Sequence, residues 1–384
     1  MRNKLLLLSC MFCVSSNAFT QVTVNGSFVH DGIVRTYSYY VPAIYNSAQE
    51  VPLIIDLHGL GSDGAMHSVR SNFQAIADTA NFIVVHPDGT PDAFLGQRFW
   101  NYENILGSTV DDAGFLVALI DTISAHYSIN QNRVYCSGMS NGSFMAYYLA
   151  CYTDRFAAIG AVTGSMSINM YDNCSPSRPI PTIHVHGTSD PINTYTGTST
   201  MKAIEDVSLY WANQNGCNTT PIITPVPNIN TTDNSTAERY LFANGINNHS
   251  VELFKVTDGG HTWPGYYVFT FNGNTCMDFS ASKELWRFFS QHERSTSVDL
   301  EDINTLVEIE IWPNPASQVI HFKTKDSVIK NVVIVDLLGR EVENYSNEKI
   351  ETIDISHLLP GNYSMNISGN DFTVVKKLII SNLK

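Results

Sequence analysis

The sequence predicts an α/β protein, a mostly parallel sheet flanked by helices, followed by a small all-β sandwich. Three observations carry that expectation. Short apolar runs alternate with segments of helical periodicity up to residue 292. A tight glycine–serine turn joins one of those runs directly to a helix. From residue 309 onward the helical pattern stops, and only short strands bounded by turn signals remain.

Taken in order, the segments 22–29 and 34–41 read as an antiparallel edge hairpin. Buried strands are expected at 52–57, 82–86, 133–136, 157–162, 182–186 and 251–256. Helices are expected at 72–79, 111–126, 141–151, 201–213 and 280–292. Strand and helix in alternation imply parallel strands joined by crossovers, with helices on both faces of the sheet. Residues 309–384, with strand and turn signals around Trp312, 332–340, 353–358 and 360–363, form the sandwich.

A chain of 384 residues, 43% hydrophobic, has material for one larger and one smaller core. Its formal charge of −14 argues against a nucleic-acid partner, because phosphates repel an acidic surface. Arg2 and Lys4, an apolar run at 5–14 and the small residues before Ala18 form a signal peptide over 1–20, cleaved after Ala18 or Thr20. That run is too short to span a bilayer, and the stretch ahead of Cys10 is too short for a lipidation signal. The expected domains are then 21–293 and 309–384, with a charged linker at 294–308. Five cysteines remain after cleavage. Export permits disulfides, and we expect Cys174 to pair with Cys217 at the end of the sheet away from the chemistry, with Cys136 a buried thiol. No His/Cys spacing suits a metal site, and the chemistry below requires no cofactor.

The chemistry centres on Gly138-Met139-Ser140-Asn141-Gly142. Between an apolar strand and an apolar helix, this is the layout of a nucleophile elbow, in which a strained turn holds a serine hydroxyl clear of the backbone. Its partners should follow in the order acid, then histidine. Asp190 stands just past the strand 182–186, and His261 lies on a glycine-flanked loop past the strand 251–256. Ser140 is thus the expected nucleophile, His261 the base and Asp190 the residue that fixes its tautomer. Asp258 is the rival acid, and Asp190 also suits a turn before Pro191. His184 and His186 read as packed or hydrogen-bonded strand residues. The oxyanion hole should take one N–H from Asn141 and another from Leu60 or Gly59, in the glycine-rich opening after 52–57. Trp100 and Trp263, with Phe99, Tyr266 and Tyr267, are expected to line an apolar cleft for substrate.

These stretches, together with 35–42, 110–116, His186-Gly187-Thr188-Ser189-Asp190 and Gly259 to Gly265, resemble the feruloyl esterase and polyhydroxybutyrate depolymerase-like family of α/β-hydrolases. The resemblance spans roughly residues 22–292. It implies a secreted carboxylic-ester hydrolase working through an acyl-enzyme on feruloyl or acetyl esters of plant polysaccharide, or on hydroxyalkanoate polyester. A peptidase of the same fold and a catalytically inactive surface-binding relative are the alternatives. Two departures stand out: Ser143 replaces the family's next glycine, and 218–234 looks like an insertion. The C-terminal pieces, ending in Val375 to Ile380, resemble the type A sorting domain of the type IX secretion system. That resemblance implies export by that machinery, removal of the domain, and release or attachment at the cell surface.

Overall fold

In the computed structural model the central strand β3 (Val51–Leu57) is buried at every position. That is how a strand covered on both faces accounts for an uninterrupted apolar run. The structure describes residues 22–93, 96–267, 272–294, 309–324, 327–336, 340–369 and 372–381. The expected signal peptide and nearly all of the expected linker lie outside them.

The larger unit, residues 1–294, is built on a ten-stranded sheet. Its first strands are β1 (Val22–His30), β2 (Ile33–Val41), β3 and β4 (Ile83–Pro87). A short ribbon of β5 (Thr90–Pro91) and β6 (Arg98–Phe99) stands apart. The sheet continues with β7 (Ile129–Met139), β8 (Ala158–Val162), β9 (Thr182–Gly187), β10 (Ile222–Pro225), β11 (Thr236–Phe242) and β12 (Val251–Thr257). Across the sheet the order is β1-β2-β4-β3-β7-β8-β9-β12-β11-β10. The six strands from β4 to β12 run parallel, while β1–β2 and β11–β10 close the two edges antiparallel.

The expected hairpin at the first edge is present. The second edge holds what the sequence left unexplained. Residues 222–225 of the apparent insertion pair with β11 as an exposed edge strand. The loop behind them is fastened where Asp278 Oδ1 accepts the amides of Ile229 and Asn230, and Asp233 Oδ2 accepts that of Met277.

The helices are α1 (Gly64–Ser71), α2 (Phe73–Ala80), α3 (Asp112–Ser124), α4 (Asn141–Tyr152), α5 (Ile168–Asn173), α6 (Ile204–Gln214) and α7 (Ala281–Phe289). The single helix expected at 72–79 is preceded by a separate one. Asp63 Oδ1 caps α1 by accepting the Met66 amide at 2.7 Å, and Asn72, at φ 47°, breaks the axis between α1 and α2. Among the described residues no helix is long and apolar enough to cross a membrane.

The structure corrects the expected disulfide. Cys151, at the end of α4, bonds to Cys174, just past α5, with Cα atoms 5.0 Å apart. Cys217 is a free, buried thiol whose Sγ faces the His249 carbonyl at 3.6 Å. Cys136 is also free and buried, and burial pushes its thiol well above the usual range, so it is held protonated.

The smaller unit, residues 295–384, holds two antiparallel sheets. One is β13 (Ile309–Trp312), β14 (Val319–Thr324) and β17 (Thr352–Asp354); the other is β16 (Glu341–Ser346), β15 (Asn331–Val335), β18 (Gly361–Ser368) and β19 (Thr373–Ile380). Alternating residues such as Ile320, Phe322, Val332, Ile334, Met365 and Ile367 supply one shared core.

Candidate active site

Parallel strands gather their C-terminal ends on one edge of the sheet, where open α/β folds bind ligands. Ser140 follows β7, Asp190 follows β9 and His261 follows β12, so all three loops leave from that edge. The loop 58–61 follows β3, the neighbour of β7.

Ser140 has φ 53° and ψ −118°, a strained conformation for a residue with a side chain. The turn is held by the Ser140 amide, which donates to Val162 O at 2.9 Å, and by the Ser143 and Phe144 amides, which donate to Ser140 O. Only glycine fits on either side. A Cβ on Gly138 would come within 2.5 Å of the Gly142 carbonyl, and one on Gly142 within 2.4 Å of the Leu57 oxygen. Ser143, the departure from the family pattern, is buried and used structurally. Its hydroxyl accepts the Val162 amide at 2.9 Å and lies 2.7 and 2.8 Å from the carbonyls of Gly138 and Val162.

Asp190 and His261 meet. Nδ1 of His261 lies 2.8 Å from Oδ2 of Asp190, and both side chains are buried. The other carboxylate oxygen accepts the amides of Ile192 and Asn193 at 2.8 and 2.9 Å. Burial alone would raise the Asp190 pKa, but the bonds from His186 and His261 outweigh it and hold the carboxyl well below the ordinary carboxylate range. An anionic Asp190 makes Nδ1 the protonated nitrogen of His261 and leaves Nε2 to accept a proton. Asp258 is exposed, at φ 57°, and is engaged with Thr188 and Ser189 rather than with the imidazole. The Ser140 hydroxyl makes no hydrogen bond among the described residues.

The loop after β3 packs against the elbow: a Cβ on Gly59 would lie 3.3 Å from that of Ser140. His58 is buried, its Nδ1 2.7 Å from the Gly59 carbonyl, while its Nε2 accepts the Gly89 amide at 2.9 Å. Nδ1 therefore carries the proton. Burial pushes His58 down to about 4, so the ring stays neutral. Leu60 is half exposed beside it.

Both tryptophans depart from expectation. Trp100 is fully buried, and its indole N–H donates to the His58 carbonyl at 3.0 Å. Trp263 is 2% exposed, donates to Ser282 Oγ at 3.0 Å and meets His67 edge-on. Neither indole lies open as a substrate platform, because each must spend its N–H inside the protein once buried. Phe99 is buried as well, whereas Tyr266 is half-buried and Tyr267 exposed.

Several known proteins are similar to this chain. Residues 35–200 match the family model described as esterase PHB depolymerase, and residues 310–381 match the secretion system C-terminal sorting domain. A bifunctional acetylxylan esterase/xylanase of Neocallimastix patriciarum is 29% identical over 174 residues, covering 45% of this chain and 24% of that protein. Feruloyl esterase B of Piromyces equi is 25% identical over 232 residues, covering 57% of this chain and 41% of its own. The chain spans less than half the length of either relative. An acetyl xylan esterase structure from Aspergillus awamori aligns with 14% identity and a TM-score of 0.48, over 70% of this chain and 99% of that one. Residues 35–200 are thus similar to the esterase PHB depolymerase family, and residues 310–381 to secretion system C-terminal sorting domains.

Proposed function

We propose that the protein is an exported serine esterase. The observation that carries this reading is the buried 2.8 Å bond between Asp190 and His261, on the sheet edge where the strained turn presents Ser140. Ser140 Oγ attacks the ester carbonyl while His261 Nε2 takes its proton. The resulting oxyanion accepts N–H bonds from Asn141 and from Leu60 or Gly59. The C–O bond to the alcohol then breaks, and His261 returns the proton to the departing oxygen. Water, deprotonated by the same imidazole, attacks the acyl-enzyme and releases the acid, restoring Ser140.

Feruloyl and acetyl esters of plant polysaccharide are the first choice of substrate, because the two curated relatives bear those activities in their names. Hydroxyalkanoate polyester is the second, favoured by the family match at 35–200. The sorting-domain match supports export by the type IX machinery, to the cell surface or beyond it. Two measurements test the proposal. A fluorophosphonate probe should label Ser140 and nothing else on the mature protein. A panel of methyl ferulate, acetylated xylan and hydroxybutyrate oligomers should rank the acyl groups. Absence of both labelling and turnover would leave the inactive surface-binding reading in its place.

A further inference from the structure

Behind the carboxylate that faces His261 stands a second histidine, and behind that a third. His186 Nε2 lies 2.7 Å from the Asn193 carbonyl and 3.4 Å from Asp190 Oδ2. His186 Nδ1 lies 3.1 Å from His184 Nε2. His184 Nδ1 lies 2.8 Å from the hydroxyl of Tyr147, on α4. All of these side chains are buried.

We propose that His186 is a positioning residue for Asp190, the last donor of a one-way hydrogen-bond chain running Tyr147 to His184 to His186. Its catalytic consequence rests on the esterase reading above.

The direction of the chain follows from its two ends. A carbonyl can only accept, so His186 must carry its proton on Nε2, facing Asn193 O and Asp190 Oδ2. At the other end, the buried Tyr147 hydroxyl needs an acceptor, and its partner among the described residues is His184 Nδ1. His184 must then donate from Nε2, and His186 Nδ1 must accept. Each link requires the same pair of neutral tautomers. Burial agrees, since it pushes His184 well below its ordinary value and keeps that ring uncharged.

Asp190 therefore has both oxygens committed. Two turn amides hold Oδ1, while His261 and His186 converge on Oδ2. When His261 becomes cationic, a carboxylate fixed in this way keeps its place and its charge. A neutral His186 supplies a donor without adding a second positive charge beside the imidazolium. His186 Nε2–H bonds the carbonyl of Asn193, in the turn whose amides hold Oδ1, and stands 3.4 Å from Oδ2; without it that turn loosens, and with it the aim of the imidazole.

Two experiments on the full-length protein decide the matter. With histidine ring nitrogens labelled by ¹⁵N, NMR at neutral pH should show His184 and His186 both protonated at Nε2 and bare at Nδ1. A proton on Nδ1 of either ring would overturn the chain. In kinetics with an aryl ester, His186→Leu should lower kcat by about 10-fold to 100-fold and leave KM within about twofold, the mark of misplaced catalytic groups. His186→Gln, whose amide N–H reaches toward the same oxygens, should recover most of the loss. Equal impairment of the two variants, or a His186→Leu enzyme within about twofold of the parent kcat, would overturn the positioning role. Should His186→Leu fail to fold, the tautomer measurement decides on the unaltered protein. A failed esterase reading looks different: the parent would not turn over the ester, while the tautomer pattern would stand.

Discussion

Trp100 and Asn141 are joined by a reciprocal pair of hydrogen bonds: the Trp100 amide donates to Asn141 Oδ1 at 2.6 Å, and Asn141 Nδ2 donates to the Trp100 carbonyl at 3.0 Å. Asn141 opens α4 directly after Ser140, so this pair ties the elbow to the segment after β6. The same tryptophan reaches the loop after β3 through its indole bond to the His58 carbonyl. Because a trans peptide is planar, fixing a carbonyl also fixes the N–H on the far side of its bond. Trp100 thereby sets the Gly59 N–H, and His58, bonded to the Gly59 carbonyl, sets the Leu60 N–H. The buried indole thus helps to organise the Gly59 N–H, while the Trp100 backbone holds the Asn141 side chain.

Trp100→Phe keeps a buried ring and deletes the N–H. We predict that kcat on an aryl ester falls about tenfold or more with KM little changed, because only interactions made in the transition state are lost. Steady-state kinetics check this. A raised KM with kcat intact would instead make Trp100 a substrate-binding residue.

Ser140→Ala should abolish turnover, with a loss on the order of 10⁶ in kcat. Asp190→Asn should cost about 10⁴ by favouring the wrong tautomer of His261. Asp258→Asn should stay close to the parent, since Asp258 is exposed and engaged elsewhere. A reversal between the two aspartates in the same assay would mean that the acid was wrongly assigned.

Much of this was legible in the sequence because the relevant signals are local. Gly138 and Gly142 mark the elbow, since only glycine survives the contacts there, and apolar runs such as 51–57 mark the buried strands. Positions of Asp190 and His261 follow from strand ends. Roles that depend on partners distant in sequence were hidden. Trp100 reads as an aromatic for substrate until its N–H is seen bonded to His58, 42 residues away. His184 and His186 share one face of a strand by their spacing, and Asp190 is four residues on, but Tyr147 carries no mark in sequence that ties it to them. The disulfide was misassigned for the same reason, because where Cys151 and Cys174 come to lie depends on how α4 and α5 end.

That disulfide supports a stability prediction. Cys151 and Cys174 are 23 residues apart, and closing a loop of that length in the unfolded chain is worth about 3 kcal/mol by the chain-entropy model. Cys151→Ser and reducing agent should each lower the denaturant midpoint by a corresponding amount and should not add. Cys217→Ser should leave the effect of reductant unchanged. Sensitivity to reductant that disappears in Cys217→Ser would restore the pairing expected from sequence.

Stability should also fall as the solution becomes mildly acidic, and the sign follows from the histidines. Burial pushes His58 and His292 down to about 4, below the ordinary value of 6.5. Between those limits the unfolded chain binds protons that the folded protein refuses, so acid favours unfolding. The stabilising effect of the buried neutral rings is complete above about pH 6.5 and is lost progressively toward pH 4. By pH 5 the loss amounts to about 2 kcal/mol for each ring. The carboxyls of Asp56 and Asp190 act lower down. Histidine partners hold both below the carboxylate range despite burial, so their contribution is lost only as pH falls below about 4. His292 lies against Phe288 and Ser250, away from the proposed catalytic groups. Replacing it by Gln should reduce proton uptake on unfolding by about 0.8 between pH 5 and 6, which flattens the slope of unfolding free energy against pH there by about 1.2 kcal/mol per pH unit. Denaturant unfolding of both proteins across that range measures the slope directly, and parallel slopes would mean that His292 is not a source of the acid sensitivity.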